Sequence, residues 1–104
     1  MIAQLSPTAL PALPQRARVI DVREPEEFWG HLGHIPGAKL VPLGHLAAAA
    51  EPWDRHLPIV AVCRSGARST RAVELLAAMG FSEVRNLEGG MLAYAAAGLP
   101  CSRE

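Results

Sequence analysis

One heptapeptide, Cys63-Arg64-Ser65-Gly66-Ala67-Arg68-Ser69, concentrates the reactive chemistry of the chain. It follows a continuously apolar run, Ile59-Val60-Ala61-Val62, and leads into a stretch of helical periodicity. A tight strand-to-helix loop aims several backbone N–H groups at one point, and the helix N-terminus adds partial positive charge. Gly66 lets the backbone curl. Arg64 and Arg68 bring full positive charges. A thiol so placed has a lowered pKa and is largely thiolate at neutral pH. The same cradle suits an anionic substrate or a negatively charged covalent intermediate. Nucleophile, anion nest and charge compensation therefore coincide in one loop. A strand-end cysteine alone reads as a buried structural thiol; the glycine and two arginines turn the reading toward function. Ser65 and Ser69 each read two ways, as a hydroxyl donor to the site or as the N-cap of the helix.

Asp21 and Arg23 end an earlier strand on the same side of the sheet. Asp21 either orients Arg68 or a loop N–H, or it makes an internal ion pair that fixes the fold. Charges at sheet ends commonly brace loops, which favours the pair. His31 and His34 are spaced to suit a metal but lack a third ligand nearby, so no metal is expected. Cys101 follows Gly98-Leu99-Pro100 and reads as an incidental tail thiol. The alternatives are a resolving thiol for Cys63 or a Cys63–Cys101 bridge. Trp29 and Trp53 edge a mouth or a partner surface, with core packing the reading for at least one of them.

The elements that must position these residues follow from pattern. Short apolar strands are expected at 19–22, 39–41, 59–62 and 84–86. Helices are expected after Ser6-Pro7, at 25–28, at 43–50, at 66–79 with Gly80 as stop, and at 90–97. Strands alternating with helices imply a parallel sheet with helices on both faces. Ligands then sit beyond the carboxyl ends of the strands, where Cys63 follows Val62. Gly89 and Gly90 are expected to allow close backbone approach at the start of the last helix.

The 104 residues, of which 50% are hydrophobic, suit a single domain over 1–104 with one real core. Ten basic residues balance ten acidic ones, so nothing draws the chain globally to nucleic acid or anionic membrane. Nine of the ten basic residues are Arg, with Lys39 the exception, and Arg suits bidentate anion contacts. Two cysteines are too few for a disulfide scaffold. No apolar run is long enough to span a bilayer, and the start of the sequence lacks a signal-peptide pattern. The expected compartment is a reducing cytoplasm, where a thiol stays free.

Three segments in this order resemble the rhodanese-like sulfurtransferases, of the single-domain thiosulfate type. They are Asp21-Val22-Arg23-Glu24-Pro25-Glu26-Glu27-Phe28 with Gly33-His34-Ile35-Pro36-Gly37-Ala38, then Val62 to Ser69, then Asn86-Leu87-Glu88-Gly89-Gly90. The resemblance covers nearly the whole chain. It implies an α/β fold with a five-stranded, largely parallel sheet, and a Cys63 that carries a persulfide during turnover. It implies a small anionic sulfur donor such as thiosulfate, a thiol or cyanide acceptor, and no cofactor. On that reading Arg64, Ser65, Gly66, Ala67, Arg68 and Ser69 bind substrate, with Arg64 and Arg68 on the sulfonate end. Two features depart from the family: Trp29-Gly30-His31-Leu32 lengthens one loop, and Tyr94 stands where many members have Trp. A persulfide carrier serving a protein donor or acceptor is the alternative. A Cys-dependent phosphatase or arsenate reductase is a third reading. Those phosphatases carry one more residue between Cys and Arg than the Arg64-Ser65-Gly66-Ala67 found here.

Overall fold

In the computed structural model, which describes residues 2–104, the strand Ile59–Val62 (β4) lies at the centre of a five-stranded sheet. All four of its residues are buried and none is polar, as a strand covered on both faces requires. Arg18–Asp21 (β2) and Val84–Leu87 (β5) flank it, and Gln4–Leu5 (β1) and Lys39–Leu40 (β3) form the edges, in the order β1-β5-β4-β2-β3. Every pairing is parallel. The register sets Asp21 beside Val62 and aligns both Gln4 and Ala61 with Asn86.

Side chains alternate between the two faces of β4. Ile59, Ala61 and Cys63 join the cluster formed with Leu46–Ala50 (α2) and Ala67–Ala78 (α3), through Leu46, Ala50, Ala72, Val73 and Leu76. Val60 and Val62 turn to the other face, where Leu5, Leu87, Met91 and Tyr94 gather under Gly90–Ala96 (α4) and the 3-10 helix Pro7–Ala12. Helices thus cover both faces. Pro25–Phe28 (α1) is a single turn held by a capping box between Glu24 and Glu27.

The structure departs from pattern where the signal is short. Strand β1 has two residues, one polar and exposed, and gives no periodicity to read. The segment after Ser6 is a 3-10 helix with Pro11 inside it, and the Ser6 hydroxyl meets Thr8 rather than capping. The stretch before α2 opens as a separate 3-10 turn at Leu43–His45.

Candidate active site

Cys63 sits one residue past the carboxyl end of β4, and its side chain turns back into the loop. Its Sγ accepts a hydrogen bond from the Gly66 amide at 3.0 Å and from the Ser69 hydroxyl at 3.2 Å. Gly66 makes this possible: its φ is 115°, a conformation a side chain rarely tolerates, and it serves as the N-cap of α3. Neither Ser65 nor Ser69 takes the capping role. Ser69 is wholly buried within the first turn of α3 and faces the sulfur. Burial pushes the Cys63 thiol up. The Ser69 hydroxyl and the Ser69, Gly66 and Ser65 amides more than reverse that, and its pKa falls below the ordinary thiol value. Local hydrogen bonds therefore lead the activation, ahead of the arginine charges that the sequence emphasises.

The two loop arginines are not equivalent. Arg68 gives both terminal nitrogens to Glu27, Nη1 to Oε1 at 2.7 Å and Nη2 to Oε2 at 2.8 Å. That fork draws the Glu27 carboxyl down to about 2. Arg64 has no side-chain partner among the described residues. It lines a cavity of about 460 Å³ beside the loop, with Glu26, Glu27, His31, Leu32 and Leu92. Arg23 also borders this cavity but is committed elsewhere. Its Nε and Nη2 bind the Asp21 carboxylate at 2.9 and 2.8 Å, and Nη2 reaches the Gly33 carbonyl at 2.7 Å. Both residues are buried. Asp21 thus makes the internal pair, and through Gly33 the pair braces the loop that forms one wall of the cavity. Asp21 makes no hydrogen bond to Arg68.

Glu27 and Asn86, which the sequence left without a role, and Gly90, expected to allow close backbone approach, shape the loop. Glu27 neutralises Arg68. Asn86 accepts the Ser69 hydroxyl and is itself hydrogen-bonded to Gln4. Gly90 lets α4 press onto the nucleophile loop, so that the Met91 and Leu92 amides donate to the Cys63 and Arg64 carbonyls at 2.9 and 3.1 Å. A Cβ at Gly90 would lie 2.5 Å from the Cys63 oxygen. This is the close approach that the adjacent Gly89 and Gly90 lead one to expect.

The remaining candidates disperse. His34 is buried, stacks on Phe28 and pairs its Nδ1 with the Phe28 carbonyl at 2.9 Å. No three potential metal ligands cluster among the described residues. Cys63 and Cys101 are both free thiols, and Cys101 is exposed. Trp53 packs edge-on to Phe81 beside the core, whereas Trp29 is half exposed. No helix among the described residues is long and apolar enough to cross a membrane.

The model of the Rhodanese-like domain family matches residues 6–97. An uncharacterized protein, YqhL, of Bacillus subtilis is 41% identical over 76 residues, 73% of this chain and 59% of that protein. A sulfurtransferase of Allochromatium vinosum is 37% identical over 82 residues, 79% of this chain and 75% of that protein. The thiosulfate sulfurtransferase GlpE of Pseudomonas aeruginosa is 35% identical over 74 residues, 71% of this chain and 66% of that protein. The chain spans between half and three fifths of the length of the first two curated relatives. Among solved structures, a rhodanese-related protein from Thermoplasma volcanium superposes with a TM-score of 0.87 at 27% identity, covering 98% of this chain and 99% of that one.

Proposed function

The chain belongs to the rhodanese-like domain family, and from that premise we propose that it moves a sulfane sulfur from thiosulfate or a related donor to a thiol or cyanide, through a persulfide on Cys63. The observation that carries the reading is the Cys63 sulfur, held at the strand end by the Gly66 amide and the Ser69 hydroxyl with its pKa lowered. The thiolate attacks the outer sulfur of thiosulfate. A new S–S bond forms to Cys63, the old S–S bond breaks, and sulfite leaves with the bonding pair. The acceptor then attacks the terminal sulfur, and Cys63 departs as thiolate. Each state carries its negative charge at the sulfur end, within the ring of loop amides from Arg64 to Ser69. Arg64, without a side-chain partner among the described residues, is the cation for the sulfonate, and Arg68 reaches it only by loosening from Glu27.

Loop length argues against phosphate. A tetrahedral anion with three bound oxygens needs a wider ring of donors than one extra sulfur does. The missing residue also moves the arginine about 100° around the helix axis.

Mass spectrometry after thiosulfate treatment tests the reading. One added sulfur is expected on the Cys63 peptide, none in Cys63→Ala, and sulfur transfer is expected to survive in Cys101→Ser. A stoichiometric persulfide without turnover assigns the carrier role with a protein partner. Aryl phosphatase activity that disappears in Cys63→Ala overturns both.

A further inference from the structure

The Ser69 hydroxyl has one proton and three acceptors in reach: Cys63 Sγ at 3.2 Å, the Gly66 carbonyl at 3.2 Å, and the carboxamide of Asn86. The far end of that carboxamide meets the Gln4 side chain at 2.8 Å. Cys63, Ser69 and Asn86 are all buried, and Gln4 stands at the exposed edge of the sheet in β1. Parallel pairing of β1 with β5 sets Gln4 beside Asn86, so the sheet itself fixes this contact. A continuous polar path therefore runs from the sheet edge to the sulfur.

We infer that Gln4 and Asn86 are positioning residues for the Cys63 sulfur, acting through Ser69 as a directed hydrogen-bond chain. The inference rests on Cys63 being the nucleophile. With Asn86 Oδ1 toward Ser69, the hydroxyl proton is drawn away from sulfur. A half-turn of both carboxamides keeps the same heavy-atom frame and reverses the chain. Gln4 Nε2 then donates to Asn86 Oδ1, Asn86 Nδ2 donates to Ser69 Oγ, and Ser69 gives its proton to Sγ. A thiolate is the strongest acceptor of the three, and charge-assisted hydrogen bonds outweigh neutral ones. Ionisation of Cys63 therefore selects the inward direction. No proton leaves the chain; the carboxamides hold the hydroxyl in one rotamer with its oxygen lone pair occupied. Such linked donors also polarise one another.

The test is the pH midpoint of iodoacetamide alkylation at Cys63, read by mass spectrometry in a Cys101→Ser background. The charged side chains around the sulfur are the same in every variant: Arg64 of the loop, Arg68 of α3 with Glu27 of α1, and the Asp21–Arg23 pair at the end of β2. Ser69→Ala is expected to raise the midpoint by about one pH unit, the scale of a hydrogen bond to a charged group. Gln4→Ala and Asn86→Ala are expected to raise it by roughly half a unit when Ser69 is present. Neither is expected to move it further in a Ser69→Ala background. Gln4 is exposed, so its truncation leaves no buried gap even where Asn86→Ala fails to fold. An unmoved midpoint in Gln4→Ala overturns the chain. So does an equal shift with and without Ser69, or a fall in Asn86→Ala. The readout needs no sulfur donor, so failure of the sulfurtransferase reading and failure of the chain are separate results.

Discussion

Two arginines in one loop, four positions apart, meet opposite fates. Arg64 has no side-chain partner among the described residues and lies at the edge of the cavity, and Arg68 is held at both nitrogens by Glu27. If thiosulfate is the donor, the two residues must affect its binding differently. Arg64→Ala removes the free charge and is expected to raise the thiosulfate KM about tenfold, with weaker salt dependence, the low end for a charge-assisted contact at an exposed site. Arg68→Ala also raises KM, but by exposing the Glu27 carboxylate to an incoming dianion. The double variant Arg68→Ala with Glu27→Gln should then recover most of that loss. Glu27→Gln alone frees Arg68 and lowers KM. Steady-state kinetics at two ionic strengths check this set. An unchanged KM in Arg64→Ala would remove it from donor binding.

Between elements, the closest constraint is α4 against the nucleophile loop. At Gly90 a Cβ would stand 2.5 Å from the Cys63 carbonyl oxygen and 2.6 Å from that of Arg64, and neither backbone atom can step aside cheaply. Gly90→Ala must back α4 away and break the Met91 and Leu92 hydrogen bonds to those carbonyls. Its φ of 61° adds backbone strain. The expected cost is about 2–4 kcal/mol in urea unfolding, with kcat lowered in the fraction that stays folded. A variant of unaltered stability and kcat would mean that α4 does not support the loop. The strand, loop and helix around Cys63 were legible in sequence because their signals are local: an unbroken apolar run, a glycine, then helical periodicity. The pairing of Glu27 with Arg68 was not legible, because the partners lie 41 positions apart, Arg68 reads as a substrate-binding cation, and Glu27 reads as an ordinary surface charge. Asn86 was visible only as a motif letter. Its bond to Ser69 spans 17 positions and its bond to Gln4 spans 82, and both depend on strand order. The Asp21–Arg23 pair, which the sequence favoured over a direct role for Asp21 at the site, is the arrangement the structure shows.

Across the whole molecule, the Glu27–Arg68 fork ties α1 to α3, and its strength depends on pH in a definite direction. The Arg68 hydrogen bond is the main cause that takes the Glu27 carboxyl from 4.5 down to about 2, against the opposing push of burial. A carboxyl whose folded pKa is depressed binds fewer protons folded than unfolded. Its stabilisation is therefore fully present above the unfolded value and is lost as pH falls toward the folded one. Here that window runs from 4.5 down to about 2. The side chains of Arg68 and Glu27 are 36% and 30% exposed, so solvent screens the pair and its worth is about 1 kcal/mol, well under what the shift alone suggests. Glu27→Gln isolates this charge effect, because the amide oxygen still accepts the Glu24 amide that closes the capping box. Urea unfolding is expected to find the variant less stable by about 1 kcal/mol at pH 7, with the gap narrowing below pH 4.5 and smaller in high salt. A gap that stays constant across that window would mean the fork acts as a neutral hydrogen bond, and the electrostatic coupling of α1 to α3 would fall.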